Sequence, residues 1–133
     1  MRLLLAAAIA ASLAVAVPAD AATQSKPCAR KGSHTVKSNG QARVYSVKNK
    51  DGGRNLYGCL RSDDRRQRLA HGYDDNYTSS GKYSAVTLKG HIVSWIFTST
   101  DDSCKADCPP GYDPTSTASF QRNLKTRKTS AVA

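Results

Sequence analysis

Glutamate is absent from this chain: its ten acidic residues are all aspartate. Glutamate favours helix interiors, whereas aspartate favours caps and turns, so a helix-rich fold is disfavoured from the start. Large apolar residues are scarce as well. Fifteen Leu, Ile, Val and Phe follow Ala21, about 13% of that stretch, below the share at which a highly charged chain begins to suggest disorder. Such a supply supports one small domain that needs covalent staples. After Val17 no run is apolar enough to approach the roughly 20 residues of a membrane span. H-E-x-x-H, paired C-x2-C and G-x-S-x-G are all missing, which removes the common zinc and serine-hydrolase signatures.

What is present begins with a leader. Met1-Arg2 supplies a positive charge, Leu3 to Val17 is an unbroken run of small and apolar residues, and Pro18-Ala19-Asp20-Ala21 ends in a small-x-small pattern. That is the layout of a secretory signal peptide. Cleavage after Ala21 removes Arg2 and Asp20 together and keeps the net charge of +10. Lys26-Pro27 precedes Cys28, so no lipobox is present. The expected organisation is a signal peptide over 1–21, an extended arm over 22–33, an all-β domain over 34–126 and a flexible basic tail over 127–133. Secretion to the extracellular space or a bacterial cell envelope follows from the leader, with no transmembrane segment once it is removed.

The four cysteines, Cys28, Cys59, Cys104 and Cys108, lie beyond the leader. An even number in an oxidising compartment predicts two disulfides. Cys104 and Cys108 bracket a tight turn-forming segment, which pairs them locally and leaves Cys28 to Cys59. A zinc site from the same residues is the sharper alternative, but the spacing lacks paired C-x2-C.

The remaining pattern is one of short alternating stretches and turn residues. Thr35 to Lys37 reads as a strand closed by Ser38-Asn39-Gly40. Ala42 to Val47 alternates Ala42, Val44 and Ser46 against Arg43, Tyr45 and Val47. Asn55 to Leu60 sets Leu56, Gly58 and Leu60 against Tyr57 and Cys59. Arg65 to Ala70 is a basic strand anchored by Leu69. His71 to Gly81 reads as a long loop. Tyr83 to Lys89 and Ile92 to Thr98 form a hairpin about Gly90. Val93, Trp95 and Phe97 lie on one face there, and Ile92 and Ile96 on the other, which predicts a central strand buried on both sides. Ser99 to Ser116 is a second loop, and Thr117 to Leu124 a last strand. The fold class is therefore all-β: a small antiparallel meander or sandwich.

Four of these segments carry a resemblance: Ala42-Arg43-Val44-Tyr45-Ser46-Val47, Leu56-Tyr57-Gly58-Cys59-Leu60, Val86 to Trp95, and Arg122-Asn123-Leu124-Lys125-Thr126. Their order resembles a β-propeller blade, with its "label" and "value" strands, L-x-G-x-x-V-x-W hairpin and closing D-L-x-T-G strand. It is also similar to small secreted bacterial proteins of unknown function with this pattern. Asn123 stands for the usual Asp and Arg127 for the Gly. Propeller closure takes about four blades or more, so the resemblance implies a single modified blade, and it implies no activity.

Candidate chemistry divides into several groups. Arg61, Arg65, Arg66 and Arg68 form the densest basic cluster, and Arg122, Lys125, Arg127 and Lys128 the second. Lining one edge together, they would attract anionic polymers. The sequence places no interleaved aromatics near the arginines, so no specific nucleic-acid site is expected. His34, His71 and His91 show no metal spacing, and His91 falls in a turn. A small basic secreted chain also fits a nuclease-like hydrolase, although the absence of Glu removes the base of the common bacterial glutamate–histidine–arginine ribonucleases. Asp74-Asp75-Asn76 and Asp101, Asp102, Asp107 and Asp113 offer oxygen ligands for calcium, but Asp pairs are ordinary turn formers. Asn76-Tyr77-Thr78 matches a glycosylation sequon. The Cys108-Pro109-Pro110-Gly111-Tyr112-Asp113-Pro114 loop is similar to the reactive loop of secreted bacterial subtilisin inhibitors, an alternative that the other cysteine spacings do not fit. The reading is a secreted β-domain, leaning non-enzymatic, with no cofactor or metal expected and with Arg61, Arg65, Arg66 and Arg68 as its anion-binding residues.

Overall fold

The computed structural model describes residues 27–104 and 107–132. The leader and the first part of the arm lie outside the described residues. Nine strands are described, with no α-helix, in two antiparallel sheets whose strands follow chain order. The first sheet comprises β1 (Ser33–Ser38), β2 (Ala42–Lys48), β3 (Arg54–Leu60) and β4 (Arg66–His71). The second comprises β5 (Tyr73–Asp74), β6 (Ser79–Lys89), β7 (Ile92–Asp101), β8 (Thr115–Asn123) and β9 (Thr129–Val132). The all-β fold class and both disulfides, Cys28–Cys59 and Cys104–Cys108, are as expected.

The alternation read in β2 and β3 builds two cores, one on each face of the first sheet. Ala42, Val44, Leu56, Leu60 and Ala70 face the second sheet and bury against Val93, Trp95 and Leu124. Gly58 belongs to that face because Leu124 occupies the space of its missing side chain; a Cβ there would lie 2.6 Å from Leu124 Cδ2. On the outer face, Tyr45 and the Cys28–Cys59 disulfide are wholly buried, flanked by Val47 and Tyr57. The arm is thus held against the sheet as its second lid.

The chain crosses between sheets at one residue, Gly72, which lies between β4 and β5. A side chain on Gly53 would strike the Gly72 carbonyl and come within 2.6 Å of the Tyr73 nitrogen. Glycine at both places lets the β2–β3 turn close over this corner, where the Gly72 N–H donates to the Arg54 carbonyl at 3.1 Å.

Several expectations are corrected. The segment His71–Gly81 is not one loop: Tyr73 and Asp74 pair with Gly81 and Ser80 as β5 and the start of β6. Likewise β7 runs on to Asp101 and β8 begins at Thr115, so the loop expected over Ser99–Ser116 is shorter by both strand ends. The segment 127–133, expected to fray, contains β9, which pairs with β8 from Ser119↔Val132 to Arg122↔Thr129. These additions present no continuous buried face, so ladder hydrogen bonds define them. β7 is central in its sheet, yet Val93 and Trp95 are buried while Ile92 and Ile96 are half-buried; one face alone is covered. The four segments that resemble a blade fall two and two into the separate sheets.

Candidate anion-binding edge and groove

β4 is an edge strand, and its arginines owe their placement to a bulge. Cys59 pairs with Arg66 and Tyr57 with Arg68, but Leu56 pairs with Ala70, leaving Leu69 as an extra residue. Strict alternation would put Ala70 on the same face as Arg66 and Arg68. The bulge resets the face, so Ala70 turns into the core while Arg66 and Arg68 remain exposed.

The outer face also answers the question of aromatics. The Arg66 guanidinium lies 4.7 Å from the Tyr57 ring centroid, and Arg43 lies 4.9 Å from that of Tyr45. The two tyrosine rings stack at 5.6 Å. Tyr57 is nine positions from Arg66 in sequence and reaches it through the β3–β4 pairing, a proximity that reading along the chain does not show. Burial pushes the Tyr45 hydroxyl up from its ordinary pKa, partly opposed by nearby arginines.

The two basic clusters meet. Buried Gln67, flanked by Arg66 and Arg68, donates from Nε2 to the Leu124 carbonyl at 2.7 Å and accepts from Arg122 Nε at 3.1 Å. Arg122 in turn donates to Thr129 Oγ1 at 2.9 Å. The β8–β9 turn, with exposed Lys125, Arg127 and Lys128, is therefore fastened beside β4. Among the described residues, no hydrogen-bond acceptor or ion-pair partner engages the side chains of Arg65, Arg66 or Arg68.

Arg61 does not belong with them. Its guanidinium donates to the carbonyls of Asn39 (2.9 Å) and Pro27 (3.2 Å) and to Ser38 Oγ (2.7 Å). It fastens the arm to the β1–β2 turn, and this constitutes a correction to the four-arginine grouping. Arg43 is consumed in the same way by Cys28, Ser33 and Thr35.

Beyond Leu69 the edge of β4 opens into an apolar groove of about 370 Å³, lined chiefly by Leu69, His71, Tyr73, Trp95, Phe97 and Phe120. Trp95 forms its floor, 3% exposed and stacked on Phe120 at 5.7 Å. His71 stacks on Tyr73 at 6.2 Å and is held by Asn55 Oδ1 at 2.7 Å and by the Asp51 carboxylate at 3.4 Å. The other histidines sit elsewhere, His34 on exposed β1 and His91 in the β6–β7 turn.

The aspartates make turns. Asp63, Asp74, Asp101 and Asp113 each accept the backbone N–H two residues on. Asp75 accepts N–H groups from Tyr77, Thr78 and Ser79 together with the Ser79 hydroxyl. A glutamate, one methylene longer, does not hold this local geometry, which gives the all-aspartate composition a physical reason. Among the described residues, three potential metal-ligand side chains approach within 4.8 Å only at Cys28, Cys59 and Asp64, whose two sulfurs are bonded to each other. The Cys104–Pro114 loop is tied by Tyr112, whose hydroxyl donates to the Asp101 carbonyl at 2.8 Å.

A pH dependence follows from Asp75. Its N–H partners, Ser79 foremost, hold the carboxyl well below the usual aspartate range. A folded-state value below the unfolded one stabilises above the unfolded value of about 3.9 and is lost as pH falls through the folded one. The thermal midpoint should drop between about pH 5 and pH 2 in the wild type, and less over that interval in Asp75→Ala. Equal drops in a calorimetric comparison would refute this role.

Among the described residues no helix is long and apolar enough to cross a membrane. No family model matches the chain, and neither a curated protein nor a solved structure matches it.

Proposed function

We propose that this chain is a secreted β-domain, without a catalytic role, that binds anionic extracellular or envelope polymers along the β4 edge. The observation that carries the reading is the juxtaposition of Arg65, Arg66 and Arg68, which lack protein acceptors, with the basic β8–β9 turn through Gln67. Like charges gathered at an exposed edge repel one another, and a polyanion relieves that repulsion while releasing its counterions. Two disulfides support an oxidising destination.

Binding to polyphosphate or heparin resin should be strong at low salt and collapse at moderate salt, where screening shortens to about 10 Å. Replacing Arg65, Arg66 and Arg68 together by Ala should lower the log–log salt slope by about 2 on an oligonucleotide or polyphosphate probe. Arg61→Ala should leave that slope unchanged and reduce stability, because Arg61 is spent on the arm. Retention unaltered by the triple substitution rules the proposal out.

A further inference from the structure

The free side of β4 separates two unlike surfaces. Residues paired across an antiparallel ladder share a face, so the pairs Cys59↔Arg66 and Tyr57↔Arg68 put both arginines on the outer face of the first sheet. The inner face of the same edge carries Leu69 and Ala70, which line the apolar groove with Trp95, Phe97 and Phe120 of the second sheet. No arginine, lysine or carboxylate lines that groove. Between the two surfaces runs the β4 main chain, half of whose N–H and C=O groups point away from β3. Among the described strands only β3 pairs with β4, and no backbone hydrogen bond outside the strand ladders engages Arg66 to Ala70.

Resting on the anion-binding reading above, we infer that the β4 edge takes an extended peptide as an added strand, one in which acidic side chains alternate with apolar ones. Successive side chains of a strand point to opposite faces. A strand laid along β4 therefore turns one set outward, opposite Arg66 and Arg68, and the other inward over the groove. Charge complementarity selects acids for the outward set, because Arg66 and Arg68 lack protein acceptors. The uncharged aromatic lining selects apolar residues for the inward set. Main-chain hydrogen bonds supply affinity in such additions, and sites for alternate side chains supply specificity. A second copy of the chain does not suit this edge. Pairing β4 with β4 would set arginine against arginine, and like charges directly opposite destabilise a ladder. A polyphosphate has neither N–H groups for the ladder nor an apolar side for the groove.

The probe is a synthetic peptide of about six residues, an ordinary strand length, alternating glutamate with valine or phenylalanine. It is compared with a peptide of the same composition whose glutamates stand in one block, with the alternating peptide carrying lysine for glutamate, and with polyphosphate. The alternating acidic peptide should bind at least about tenfold more tightly than the block peptide. At saturation it should slow amide hydrogen exchange in β4 between Arg66 and Ala70. Methylating one alternate set of its backbone nitrogens should abolish binding and methylating the other should not, since only one set faces β4. Arg66→Glu with Arg68→Glu, both at exposed positions, should invert the preference, weakening the glutamate peptide and admitting the lysine one. Equal affinities for the alternating and block peptides, or unchanged β4 exchange at saturation, overturn the added strand. Polyphosphate binding that persists in that case keeps the anion-binding reading, and failure of every probe ends both.

Discussion

Trp95→Ala is expected to be the most damaging single substitution, removing about 3–5 kcal/mol of stability. Trp95 is 3% exposed and belongs to the inter-sheet core with Val44, Leu56, Val93 and Leu124. Its cross-strand neighbour is Phe120, stacked at 5.7 Å. Truncation therefore removes the largest side chain of that cluster and leaves a cavity that the strands on either side cannot close without breaking ladder hydrogen bonds. In a domain whose total stability lies in the usual range of about 5–15 kcal/mol, such a loss should lower Tm by more than about 10 °C. Far-UV circular dichroism through a urea titration measures it without the tryptophan. Trp95→Phe refills part of the space and should cost less than half as much. If the Ala variant loses under about 1 kcal/mol, the two sheets do not depend on this contact.

How much of this arrangement was legible in the sequence follows from what each residue faces. β2 and β3 alternate because one side is core and the other holds the disulfide and Tyr45, so period two survives on both faces. The Asn39 turn was legible for a local reason: its side-chain oxygen accepts the Gln41 and Ala42 N–H groups. β5 and β9 were invisible since Tyr73–Asp74 and Thr129–Val132 bury no continuous face, and pairing with a neighbour alone defines them. The candidate edge was half legible. Arg65, Arg66 and Arg68 stand out as a run, but Arg61 joins them in sequence and leaves them in space. Tyr57 comes to Arg66 through the β3–β4 pairing, and a bulge at Leu69 that the sequence does not announce turns Ala70 inward while Arg66 and Arg68 stay exposed. The nearest signal was Gln67, a polar residue between two arginines, which is buried because it bridges to Leu124.

The second large effect concerns the disulfides, which are unequal. Constraining the unfolded chain is worth more for a longer loop: about 3–4 kcal/mol for Cys28–Cys59, 31 residues apart, and about 2 kcal/mol for Cys104–Cys108, 4 apart. Surroundings widen the gap. Cys28 and Cys59 are wholly buried against Tyr45. The Cys28 N–H donates to Asp64 Oδ1 at 2.5 Å, the principal reason that the Asp64 carboxyl is held below its ordinary range. Removing both cysteines frees the arm, uncovers the stacked tyrosines and leaves the Arg43 and Arg61 guanidinium groups without their carbonyl acceptors on Cys28 and Pro27. Cys104 and Cys108 lie between β7 and β8, where the Tyr112 hydroxyl donates to the Asp101 carbonyl, and neither belongs to the buried cores of the described residues. Cys28→Ala with Cys59→Ala should therefore shift the urea midpoint about twice as far as Cys104→Ala with Cys108→Ala, and should speed tryptic cleavage at Arg30 and Lys31. Equal shifts for the two pairs would mean that the outer-face core adds nothing to the sheet it covers.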